Sequence, residues 1–232
     1  MSVIAARPLT FQQPRATELQ RFVLLWRYQH PVPPFTLWWR LMLKRVIDFL
    51  GAIVGLLVVA PVMALVALAI KLDSKGPAFY SQERMGQFGE AFRIYKFRSM
   101  RTDAEAAGPQ WAAQRDDPRL TRIGAFLRRS HLDELPQLVN VLMGDMSLVG
   151  PRPERPCFVE TLSRDVPRYD ERLLIKPGMT GLAQVHYRYD TTISDVKRKL
   201  RFDLLYVRNM CLVLDARILF WTVAVVLTGK GK

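Results

Sequence analysis

The sequence predicts an α+β protein, mostly helical, that is attached to a membrane and carries a small β-hairpin and amphipathic interfacial helices. Three observations predict this. No residue from Phe49 to Ile70 is charged, and about 20 apolar residues are enough for a membrane helix. Two aromatic-rich runs, Ala78 to Met85 and Ala91 to Phe97, flank a turn at Gly86–Gly89, which is the pattern of a hairpin. Val196 to Met210 sets cationic beside apolar positions at helical spacing, and Leu214 to Leu227 is apolar apart from Asp215 and Arg217. Half of the 232 residues are hydrophobic, yet the formal net charge is +13. That pairing suits a protein that meets a bilayer and phosphates together. Nucleic acid would also account for the charge.

The elements divide the chain into an extension (1–40), a membrane segment (41–75), a central domain (76–195) and C-terminal helices (196–232). Residues 1–20 are polar, with no apolar run of the kind that opens a signal peptide, which places the central domain in the cytoplasm. Between Phe22 and Trp39 lie Trp26, Tyr28, Phe35 and Trp38. Such aromatics suit the headgroup level of a bilayer; a loop packed on the rest of the protein is an equal reading.

The membrane segment holds Pro61 near its middle and has basic residues on both flanks. Proline removes a backbone donor and kinks or breaks a helix. A single span is expected to show a charge imbalance between its ends. Two readings follow from the residues: a re-entrant helix-break-helix hinged at Ala60–Pro61, and a plain kinked span. At the segment's start, Lys44 and Arg45 lie four and three residues before Asp48, so the three are expected to pair at the membrane edge.

Beyond the hairpin, 103–117 reads as a loop or short helix and Thr121 to Arg129 as a helix. Leu135 to Met143 reads as a buried helix ended by Gly144. Prolines 151, 153 and 156 force an extended path. Val196 to Met210 reads as an amphipathic helix, and Leu214 to Leu227 as an interfacial or packing helix.

The sharpest chemical feature is Asp133–Glu134. Pro136 belongs in the first turn of a helix, so both carboxylates fall at or just before a helix N-terminus, where anions are favoured. A carboxylate held there is ionised, as a nucleophile must be. Ordinary capping, with Ser130 and Asp133 as a capping-box-like pair, is the favoured reading of the segment alone. The surroundings favour chemistry. Arg128 precedes the pair, and Arg152 sits between two prolines in GPRPE. Lys96 and Arg98 share one face of the second hairpin strand by alternation. Several cations around few carboxylates suit a diphosphate and a divalent metal. KPGMTG (176–181) reads as a surface turn or a nucleotide contact. The two cysteines and three histidines are scattered, which argues against a disulfide framework or zinc site. No P-loop or dinucleotide fingerprint is present.

From about Lys44 onward the chain resembles the bacterial sugar transferases, the monotopic phosphoglycosyl transferases that start exopolysaccharide, capsule and O-antigen synthesis. The motifs that carry the resemblance are KRVID, Pro61, GPAFYSQERMG, YKFRSM, the run from Leu127 through GPRPE, and KPGMTGLAQV. The resemblance implies that Asp133 attacks the sugar-bearing phosphate of a UDP-sugar and releases UMP. Undecaprenyl phosphate then takes the phosphosugar from the aspartyl intermediate. It implies that Glu134 binds Mg2+ and that Lys96, Arg128 and Arg152 bind substrate phosphates. It also implies the re-entrant helix, membrane lipids as partners, and the cytoplasmic face of a bacterial inner membrane. No nucleic-acid partner is implied, the catalytic unit suffices by itself, and a homodimer is left open. Ser99, Ser130 and His131 depart from the commoner residues without touching the chemistry. The rivals are a membrane-anchored basic protein that binds anionic lipid or nucleic acid through Lys197 to Arg201, and a non-catalytic part of a polysaccharide assembly.

Overall fold

A computed structural model describes Tyr28, residues 32–106, Gly108, residues 117–187 and residues 192–228. The expectations for 1–20 and for most of 103–117 lie outside the described residues. The fold is α+β and mostly helical. Its longest element is α1 (Pro34–Asp73), 40 residues that begin on Pro34 after an extended Pro33. At about 1.5 Å per residue it is about 60 Å long. One stripe of α1 faces the rest of the protein along its whole length: Leu37, Asp48, Ala52, Val59, Val66 and Ile70 recur at helical spacing. The remaining faces are apolar and bare, with Leu57 72 % and Leu65 68 % exposed. A continuous apolar surface of this kind calls for lipid or a partner.

The expected break at Ala60–Pro61 is not an interruption of the helix, because residues 34–73 form one element with Pro61 inside it. Pro61 removes only the donor that the Leu57 carbonyl would otherwise use. The helix stops at extended Ser74. Gly76 turns the chain there with φ +118°, and a Cβ on it would lie 2.1 Å from an Arg98 guanidinium nitrogen.

The hairpin forms as the sequence predicts. Strands β1 (Phe79–Met85) and β2 (Ala91–Phe97) pair antiparallel, with Tyr80 opposite Lys96 and Arg84 opposite Phe92. Helix α2 (Arg122–Ser130) is capped by Thr121, whose hydroxyl accepts from the Gly124 N–H at 2.9 Å. A 3-10 turn, Leu132–Glu134, follows, and then α3 (Gln137–Met143), which Gly144 ends in the left-handed conformation. Strand β3 (Ser147–Val149) pairs parallel with β4 (Gly178–Thr180). Their crossover runs through α4 (Pro156–Asp165) and a 3-10 segment, Tyr169–Leu174. Helices α5 (Leu182–His186), α6 (Ile193–Asn209) and α7 (Leu212–Thr228) close the fold.

Two sequence expectations are corrected by the structure. KPGMTG is not a surface turn: it supplies β4, and Gly178 packs so tightly that a Cβ would lie 2.0 Å from the Gly150 nitrogen. Arg45 does not pair with Asp48; its guanidinium donates to the Val141 and Leu142 carbonyls at 2.7 and 2.9 Å. Cations suit the negative end of a helix dipole, here that of α3. Lys44 does reach Asp48, at 3.9 Å, but lies closer to Asp215 of α7, at 2.8 Å. The aromatic extension divides between its two readings. Tyr28 and Val32 pack on the core formed by Leu37, Tyr206 and Val207, while Trp38 and Trp39 stand exposed.

Candidate active site

Three elements converge on Glu134. Asn140 of α3, fully buried, accepts from the Tyr95 N–H at 2.9 Å and donates to the Arg93 carbonyl at 2.7 Å. The side chain thus joins α3 to β2 as a neighbouring strand would, and sets Lys96 beside the turn that precedes α3. Lys96 Nζ lies 2.9 Å from Glu134 Oε1. From the loop after β3, Arg152 Nη2 reaches the same oxygen at 2.7 Å, and its Nη1 lies 3.4 Å from Oε2. Burial alone would raise the Glu134 carboxyl, but Arg152 and Lys96 outweigh it and hold it well below the usual carboxylate range. Burial pushes the Lys96 ammonium down against the pull of Glu134.

Asp133 is buried next to this group. Among the described residues none donates a hydrogen bond to its carboxylate. Burial and the Glu134 charge raise its pKa, while Lys96, Arg128 and Arg152 oppose the rise. The turn that presents the pair begins at His131, a non-glycine residue at φ 57°. His131 lets the chain leave α2 and enter the 3-10 turn within one residue. Ser130 makes no capping pair with Asp133; its hydroxyl donates to the Phe126 and Leu127 carbonyls. Arg128 comes from the last turn of α2, with its Nε 3.1 Å from Ser99 Oγ. Its charge favours an ionised Asp133.

The structure therefore brings Asp133, Glu134, Lys96, Arg128 and Arg152 together. It does not bring Arg98. Strand β2 ends at Phe97, so alternation stops before Arg98. The buried Arg98 guanidinium instead binds the Ser74 carbonyl and hydroxyl and the Lys75 carbonyl, at the end of α1. Ala60 and Pro61 lie on the exposed face of α1, and Lys44 and Asp48 bind α7 and the Leu148 N–H.

Residues 39–229 match the model of the bacterial sugar transferase family. The chain belongs to that family. Its relatives include the UDP-N-acetylgalactosamine-undecaprenyl-phosphate N-acetylgalactosaminephosphotransferase of Aeromonas hydrophila, 44 % identical over 189 residues, covering 82 % of this chain and 44 % of the relative. The exopolysaccharide production protein PSS of Rhizobium leguminosarum bv. phaseoli is 47 % identical over 201 residues, covering 82 % of this chain and 98 % of the relative. The UDP-glucose:undecaprenyl-phosphate glucose-1-phosphate transferase of Escherichia coli strain K12 is 42 % identical over 184 residues, covering 78 % and 39 %. The chain thus spans under half of the Aeromonas and Escherichia relatives and nearly all of the Rhizobium one.

For a sugar transferase of this family, the site offers few protein ligands to a metal. Among the described residues no group of three or more His, Cys, Asp or Glu side chains could hold an ion. Magnesium often needs only one or two carboxylates, with substrate phosphates and water filling the other positions. Glu134 and Asp133 fit that minimum. Sequence reasoning missed Asn140 and the part played by Ser99. An amide in the otherwise apolar run VNVLM was a usable signal for Asn140, since a buried polar side chain needs partners. Nothing local marked Ser99.

Proposed function

We propose that this sugar transferase moves a sugar 1-phosphate from a UDP-sugar to undecaprenyl phosphate at the cytoplasmic face of the bacterial inner membrane, as the first membrane step of an exopolysaccharide, capsule or O-antigen. One observation carries the reading: Asp133, a carboxylate without a hydrogen-bond donor among the described residues, stands beside three cations, two of which Glu134 holds. A diphosphate can take over those cations and present its phosphorus to Asp133.

The chemistry proceeds in two displacements. An Asp133 carboxylate oxygen bonds to the phosphorus that carries the sugar, and the bond from that phosphorus to the UMP oxygen breaks. UMP leaves with the electron pair. An oxygen of undecaprenyl phosphate then bonds to the same phosphorus and expels the Asp133 carboxylate. Splitting one difficult transfer in this way predicts ping-pong kinetics. Lys96, Arg128 and Arg152 draw charge from the phosphoryl oxygens, and Arg152 can do so through two parallel contacts. Glu134 is the residue that would hold Mg2+, which supplies further neutralisation of the diphosphate.

The membrane arrangement supports the same reading. Asp48, just before the charge-free run of α1, accepts from the Leu148 N–H, and Asp73, after it, accepts from the Ile123 N–H. Both flanks of the charge-free run are tied to one folded unit, which favours a helix that keeps those flanks on one side of the membrane over a span that would separate them. A site on that unit lies where a lipid with a buried tail can offer its phosphate.

The test is UMP release by the protein in nanodiscs with magnesium, undecaprenyl phosphate and a series of UDP-sugars, with Asp133→Asn alongside. Release with one sugar, dependent on the lipid and absent in the variant, establishes reaction and nucleophile and names the donor. Release that survives in Asp133→Asn refutes the assignment.

A further inference from the structure

The loop that carries Arg152 has every backbone carbonyl from Pro151 to Glu154 captured, each by a different residue. The Gly178 N–H donates to the Pro151 carbonyl at 2.9 Å. Arg172 Nη2 donates to the Arg152 carbonyl at 2.7 Å. Arg84 Nη1 donates to the Pro153 carbonyl at 3.2 Å, and the Met85 N–H to the Glu154 carbonyl at 2.8 Å. Proline fixes φ but leaves ψ free. In Pro-Arg-Pro it is therefore the carbonyls that must be held if the central side chain is to point one way. The need is real, because the Arg152 side chain is 42 % exposed and has four torsions to lose.

Two of the four donors are side chains, and both are costly to keep. Arg172 is buried, bound to Asp203 at 2.9 Å and to the Tyr169 hydroxyl at 3.1 Å. A buried ion pair usually adds little over an apolar replacement, so its use is more often to specify a conformation. Arg84 keeps its Nε buried and without a partner while its Nη1 reaches the loop.

We infer that Arg84 and Arg172 are positioning residues for the transfer: they touch no substrate, and hold the Arg152 backbone so that its guanidinium faces the phosphate site beside Glu134. This rests on the phosphate role proposed for Arg152. Asp203 acts one step further back, by holding Arg172.

The test uses the full chain in nanodiscs with Arg172→Lys, which keeps a cation opposite Asp203 but cannot also span to the Arg152 carbonyl, and Arg84→Met. Each is made in the wild-type and the Arg152→Ala backgrounds. Amide exchange should quicken at Met85 and Gly178 and not along α1. In the wild-type background kcat/KM for UMP release should fall about 100-fold, the scale of a displacement of about 1 Å at a reacting centre. In the Arg152→Ala background the same substitutions should change it by no more than about twofold, since residues that act through one group are not additive. Wild-type exchange in both variants, or an equal loss in both backgrounds, overturns the inference. If the wild type releases no UMP, the proposed reaction falls, and the same cycle measured on UDP binding decides the positioning role: coupling to Arg152 upholds it and additivity overturns it.

Discussion

Glu134 is kept ionised by Lys96 and Arg152 in surroundings that would otherwise favour its neutral acid. That arrangement has consequences for single substitutions. Arg152→Lys retains the charge but loses the forked contact. A lost charge-assisted hydrogen bond of about 1.5–3 kcal/mol corresponds to about 10- to 100-fold in rate, so steady-state UMP release should fall by that amount. Unchanged turnover would remove Arg152 from phosphate binding. Glu134→Gln leaves Lys96 and Arg152 facing a neutral amide. The magnesium titration of UMP release should flatten or move to higher concentration in that variant, while thermal unfolding remains cooperative. A normal titration curve would take the metal away from Glu134. Asp133 and Glu134 were both legible from their place before Pro136. Their opposite pKa shifts were not, because those depend on burial and on Lys96, 38 residues before Glu134, and Arg152, 18 residues after it.

Helix α2 reaches the site because it rests directly on a neighbouring backbone. A Cβ at Gly124 would lie 1.8 Å from the Ser99 carbonyl oxygen. Gly124→Ala must push α2 outward and carry Arg128 away from Ser99 and Asp133. The expected result is a lower unfolding temperature together with reduced UMP release; a variant with wild-type values for both would contradict this account of the packing. Helices α1 and α7 are joined by Lys44 and Asp215, both side chains about nine-tenths buried. Asp215 also accepts from the Tyr206 hydroxyl at 2.5 Å, and the same hydroxyl oxygen lies 3.1 Å from the Val149 carbonyl oxygen. Asp215→Asn leaves Lys44, among the described residues, with the more distant Asp48 as its carboxylate partner. Breaking such a pair costs about 3 kcal/mol or more, which should appear as a lower midpoint in denaturant. No shift would mean that the two helices are held by their apolar contacts alone.

For the molecule as a whole, the decisive question is where the two ends of α1 lie. Cysteines introduced singly at Arg40 and Lys75, in a chain with Cys157 and Cys211 replaced by serine, should both be labelled from the cytoplasmic side of sealed vesicles. Labelling of only one would require α1 to cross the membrane. The predicted architecture survives at this scale: a long apolar helix, a hairpin with the expected register of elements, a buried helix ending at Gly144, and two closing helices.

These features were readable because each depends on spacing within a few residues. A charge-free run, a two-residue alternation, a proline before a helix and a glycine after one act locally. The roles of individual cations were decided elsewhere. Arg45, Arg98 and Arg152 look alike in sequence, yet the first binds the end of α3, the second the end of α1 and the third Glu134. KPGMTG looks like a turn until β3, some thirty residues earlier, pairs with it. By itself the sequence determined the long apolar helix, the hairpin, and the helices before and after the carboxylate pair and at the close of the fold, and that carboxylates and cations are present in number. Only the tertiary structure decided which of them meet, because a side-chain charge is assigned to its partner by contacts between residues far apart in the chain.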